Sequence, residues 1–283
     1  MRLVAAILCW LVATTALAVA VPAGWAQQHL IDADGYAALA YSAAQQPALQ
    51  DAMASELSAQ VRVIARNHGY QVNDDTVRAA ATAYTASSAF PSQFADVNRT
   101  AHAWLFTNSV PQNDGQLEID IAPMLSNTSL RETLSKVRVE VPSTVTVPVT
   151  QDATTTVRPG QLAPLATWGP WVSLGVAVLA GVAAFLTIAV AGKRGRALAA
   201  LGVSALLVGG GGWAALEVGR RYISNALNQT TGNVRTIADV MVTNAEAGLH
   251  HWLNLTLAAG GALVLFGIIV TALGAALRGK QRR

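Results

Sequence analysis

Four stretches of the chain, residues 3–26, 166–192, 197–216 and 252–277, contain no Asp, Glu, Lys or Arg. A helix rises 1.5 Å per residue and needs about 20 mostly apolar residues to cross roughly 30 Å of hydrocarbon. Each stretch meets that length. Inside a bilayer the backbone amides find no water, so a single spanning segment satisfies them by coiling into a helix. Composition agrees: 52% of residues are apolar and 12% charged, against about 25% charged in an average soluble domain. Mean hydropathy is +0.37. The expectation is a mainly α membrane protein with four transmembrane helices, arranged as one N-terminal anchor and a C-terminal three-helix bundle.

The first stretch has two readings. Arg2, an apolar run, and small residues at Ala16-Leu17-Ala18 or Gly24-Trp25-Ala26 match a cleaved signal peptide. Signal cores run about 7 to 15 residues, whereas this one reaches 19 before Pro22. A retained anchor over residues 1–26 is therefore expected, and the downstream topology is the same either way. Cys9 is the only cysteine, which excludes an intramolecular disulfide, a cysteine zinc site and a cysteine-ligated cluster within the chain. The 16 Arg against 3 Lys, in an Ala-, Val- and Gly-rich chain, fit a GC-rich bacterial genome.

Lys and Arg near helix ends set orientation. Arg2, then Lys193, Arg194 and Arg196, then Arg278, Lys280, Arg282 and Arg283 give one side eight cations and no acid. The segment between the first two stretches carries eight cations against 13 acids, and the one between the last two balances three against three. Both termini are expected in the cytoplasm, with residues 27–165 and 217–250 outside. This partition also excludes a nucleic-acid face, which needs cations clustered on folded surface. Contact of the tail, residues 278–283, with anionic lipid headgroups is a secondary role.

Residues 27–150 suffice for one small domain. Asp34 is a candidate N-cap for a helix over 36–44. Pro47 suits the first turn of a helix over 48–67, closed by Gly69. Leu49, Met53, Leu57, Val61 and Ile64 recur along it as a core stripe. Asn73 or Asp74 can cap a third helix through Thr85, and Ser88 or Pro91 a fourth through Leu105. Beyond Ser109, residues 110–115 have turn chemistry, while 117–121, 137–141 and 144–147 show the two-residue alternation of strands. A short helix is placed between Pro123 and Lys136. A small α+β extracytoplasmic domain follows, with residues 151–165 as a linker and 166–283 as the membrane domain. Within that domain, residues 217–250 form an outer amphipathic helical loop with a break at Gly232. It either lies on the membrane surface or docks on the outer domain.

The helix FADVNRTAHAWLF (94–106), carrying Asn98, His102 and Leu105, and the strand GQLEIDIAPML (115–125), carrying Asp120 and Pro123, stand between an anchor and three C-terminal membrane helices. In this the chain resembles a group of uncharacterised integral membrane proteins of high-GC Gram-positive, actinobacterial-type bacteria. The resemblance covers most of the chain and implies an envelope membrane protein. It transfers no catalytic residue.

Few residues suggest chemistry. Asn98 and His102 share a helix face, and Asp120 or Asp96 approaching them would make a His–carboxylate pair for acid–base work. The plainer reading is that His102 bonds locally and fixes its helix. His250 and His251, being adjacent, point about 100° apart and do not chelate one metal together; rings at the headgroup level explain them. Gly209, Gly210, Gly211 and Gly212 lack the Gly-Lys-Ser/Thr of a phosphate loop and suit close helix packing. Ser173, Ala177 and Gly181 form a small stripe on the second membrane helix, predicting close packing of helices two and three. No metal or cofactor is expected. The reading is a non-enzymatic cell-envelope protein, a scaffold or accessory subunit with the lipid bilayer and other envelope membrane proteins as partners. An extracytoplasmic ligand-binding or sensor module is the alternative, and a hydrolase built on His102 a third.

Overall fold

The computed structural model describes residues 2–67, 71–107, 118–120, 122–125, 145–148, 159–227 and 232–280. In order these form α1 (Arg2–Ala26), a π-helical turn (Gln27–Ile31), α2 (Ala33–Ala43), α3 (Pro47–Asn67), α4 (Asp74–Thr85) and α5 (Phe90–Phe106). There follow β1 (Glu118–Asp120), α6 (Ala122–Leu125), β2 (Thr146–Pro148), α7 (Ala163–Val190), α8 (Arg194–Leu227) and α9 (Gly232–Lys280). The chain divides into two compact units. One comprises Met1–Gln27, Trp168–Arg221 and Glu246–Arg283, the other Gln28–Thr167 and Tyr222–Ala245.

The first unit is the membrane bundle. Four helical segments are long and apolar enough to cross a membrane: Val4–Ile31, Ala163–Val190, Arg194–Asn225 and Gly232–Ala275. Two polar contacts join α1 to α8. The Trp10 indole donates to the Ala200 carbonyl at 2.9 Å, and one turn along, the Thr14 and Ser204 hydroxyls meet at 2.7 Å. The α8–α9 contact is made by absent side chains. A β-carbon on Gly202 would lie 2.6 Å from the Gly260 carbonyl oxygen, and one on Gly267 would lie 2.5 Å from the Ala199 amide nitrogen. Gly195, Gly202 and Gly209 are spaced by seven, as are Gly260 and Gly267. Seven residues are about two helical turns, so each series holds one face and lets the two backbones touch.

The second unit is helical, which corrects the expected α+β domain. Among the described residues its strand content is one antiparallel ribbon, with Glu118 opposite Pro148 and Asp120 opposite Thr146. Two strands of three residues cannot form a layer. Residues 110–115, 126–136 and 137–141, where a turn, most of a helix and a strand are expected, lie outside the described residues, as does Gly69. The core is helical instead: Leu49, Met53, Leu57 and Val61 of α3 meet Val77, Ala81 and Tyr84 of α4 and Phe90 and Phe94 of α5. Pro47 opens α3 as its sequence position requires. Asn73 caps α4, accepting from the Thr76 amide at 2.9 Å. The α2 cap is Asp32 rather than Asp34, accepting from the Gly35 amide at 2.8 Å. Asp34 lies within the first turn and pairs with Arg99 of α5 at 2.9 Å.

The segment between the last two membrane helices docks on this helical core. Ile237, Val240 and Met241 pack against it, and Asn244 donates to the Leu39 carbonyl at 3.0 Å and to the Ser42 hydroxyl at 2.7 Å. It is not a separate loop helix. α8 runs on to Leu227, and after Gly232, at φ +69°, α9 continues unbroken for 49 residues.

Candidate functional site

The most enclosed ring among the sequence candidates is His102. Helix α5 presents it to the π-helical turn, where His102 Nε2 donates to the Leu30 carbonyl at 3.0 Å. A widened turn of this kind is stabilised by tertiary contacts more than by its own geometry. Gly35 makes the approach feasible, because a β-carbon there would overlap the Gln28 carbonyl. The imidazole stacks on Phe106 with centroids 4.2 Å apart, and Tyr36 lies 5.2 Å away. Burial raises the Tyr36 hydroxyl above its ordinary value of 10.0. His102 is only 5% exposed.

The expected His–carboxylate arrangement is not assembled among the described residues. Asp96 turns to Arg99 at 2.9 Å, and Asn98 donates back to the Phe94 carbonyl at 2.9 Å. Asp120 has its backbone in the β1–β2 ribbon. The ring acts as a wedge between α5, α2 and the π turn. No group of three His, Cys, Asp or Glu with metal-holding geometry occurs among the described residues.

In the membrane unit His250 stacks on Trp213 with centroids 3.8 Å apart, and the same indole donates to Asn254 at 3.2 Å. His251, on the next spoke of the wheel, is exposed. Gly209 and Gly212 face Leu257 and Leu253 of α9, whereas β-carbons on Gly210 and Gly211 would meet nothing. The four-glycine run therefore packs through its two ends, against the last membrane helix and not the second. Gly181 likewise has no neighbour within 4 Å of its would-be β-carbon. Together with Ala177 it lines an open groove of about 660 Å³ bordered by α1, α7, α8 and α9. The small stripe of α7 thus borders space instead of making the expected close contact with α8.

Two features escaped sequence reasoning. Glu246 lies outside the uncharged runs, yet α9 carries it into the membrane unit, 7% exposed, with Arg220 Nε at 3.6 Å from Oε2 and Oε1 without a hydrogen bond. An acid six residues before an apolar run was the available signal. The glycine ladder was also readable as a spacing of seven, hidden by the more conspicuous Gly209–Gly212 cluster.

No protein family, no curated protein and no solved structure matches this chain.

Proposed function

We propose that the chain is a non-enzymatic integral membrane protein of the cell envelope, a scaffold or accessory subunit of a larger membrane complex. The observation that carries this is α7. Of its 28 residues only Ala180, Ala183 and Thr187 are buried, while Trp168, Trp171 and Phe185 are exposed. A spanning helix so lightly packed by its own chain has most of its surface available to other membrane helices as well as to lipid. The spent state of His102 and His250 supports the same reading over a hydrolase, and the resemblance to an actinobacterial-type envelope group is compatible with it. Crosslinking and mass spectrometry in native membranes should return reproducible envelope-protein partners with crosslinks on the α7 face; their absence overturns the proposal.

We further infer that both termini are cytoplasmic and that the helical unit is extracytoplasmic. Supporting this, Gly195 at the start of α8 packs on Gly267 and Thr271 near the end of α9, and Ala6 of α1 borders the same groove as Lys193 and Arg196. The basic helix ends thus gather at one end of the bundle. A cysteine at Gln112 should label with impermeant maleimide in intact cells that have been freed of any outer barrier; labelling only after lysis would invert the topology.

A further inference from the structure

At that basic end a second cavity, about 550 Å³, runs between α1, α7 and α8. Its volume is in the range of small-molecule sites, roughly 300 to 1,000 Å³. The wall is apolar, formed by Ile7, Trp10 and Ala197 among others, and Thr187 there is spent on the Ala183 carbonyl at 2.7 Å. Trp10 is held in place by its bond to Ala200. At the rim stand Lys193 and Arg196, both exposed and without an acidic partner among the described residues.

We propose that this groove holds one phospholipid with an anionic headgroup, its acyl chain in the apolar trough and its phosphate against Lys193 and Arg196. Charge complementarity chooses the occupant. Two uncompensated cations at the mouth of an apolar trough match an amphiphile with a negative head and an apolar tail. They repel the chain's own basic tail at residues 278–283. The cations stand where α7 ends and α8 begins, the level at which helices leave the hydrocarbon and headgroups lie.

The test is native mass spectrometry of the full-length protein extracted into micelles holding equal phosphatidylglycerol and phosphatidylcholine. One phosphatidylglycerol should be retained over phosphatidylcholine by about tenfold, a preference that two surface cations can supply. The double variant K193Q/R196Q, altered only at exposed positions, should bring the ratio to about one with unchanged helicity and elution. Ala6→Trp, filling the trough, should reduce retention of both lipids. Equal retention by the unaltered protein overturns the proposal. So does a preference that survives K193Q/R196Q, or one lost only when residues 278–283 are deleted.

Discussion

The two units hold their helices together by opposite means. In the second unit α3, α4 and α5 are kept apart by large side chains, with Leu49, Leu57, Tyr84 and Phe90 fully buried. In the membrane unit α8 and α9 touch where side chains are missing, at Gly195, Gly202, Gly260 and Gly267. The solvent explains the contrast. In water, burying a large apolar side chain gains roughly 1.5 to 3 kcal/mol. Among lipid tails that gain vanishes, leaving contact between surfaces and interhelical hydrogen bonds as the cohesive terms. Glycine maximises the first, and the Trp10–Ala200 and Thr14–Ser204 contacts supply the second.

Substitutions should sort by this difference. The largest effect is expected for Phe90→Ala, which removes a fully buried ring from the core of the second unit and should destabilise that unit by about 3 to 5 kcal/mol, read by denaturant unfolding of the purified protein. Gly202→Leu should follow, at about 1 to 3 kcal/mol of overpacking, but in SDS titration of the bundle. An effect of Gly202→Leu on the second unit alone would break the comparison. His102→Leu, which leaves the Leu30 carbonyl without its donor, should cost about 1 to 3 kcal/mol and lower protease resistance around the π turn.

A smaller, pH-dependent effect comes from the buried tyrosines. Burial raises the hydroxyls of Tyr36 and Tyr84 above 10.0. Their stabilising contribution is complete below pH 10, and it declines as pH rises beyond 10, because the unfolded chain ionises first. Tyr84→Phe should flatten the fall of stability above pH 10, while removing the hydrogen bond to Gln93. Least of all, Gly210→Ala should shift bundle stability by no more than about 0.5 kcal/mol, since its added methyl meets open space.

Much of the fold was legible because its signals are local. Charge-free length marked the membrane helices, the stripe from Leu49 to Ile64 marked the buried face of α3, and Pro47 and Asn73 marked helix starts. Alternation over 117–121 and 144–147 did mark the short β1–β2 ribbon, but the α+β domain inferred from it went astray because alternation reports local exposure, whereas a sheet layer needs further strands in reach. Asp32 and Asp34 were indistinguishable as caps in sequence; Arg99, 65 residues away, draws Asp34 aside. Candidate-site residues fared similarly. Asn98 and His102 do share α5, but their partners, Phe94 on the same helix and Leu30 beyond α2, decide that they brace the fold. Packing of Gly209 against α9 in place of α7 was beyond a reading that had no register between helices.

The docking of Ile237, Val240 and Met241 on the helical core has a consequence for biogenesis. These residues leave the ribosome only after α7 and α8 have been synthesised, so the helical unit waits, incomplete, until both of those long apolar helices have been made. Produced alone as residues 27–165, it would lack its last wedge and display the apolar surface that Ile237, Val240 and Met241 cover. Completion of the core built early in the chain is thereby made conditional on a segment that arrives near its end.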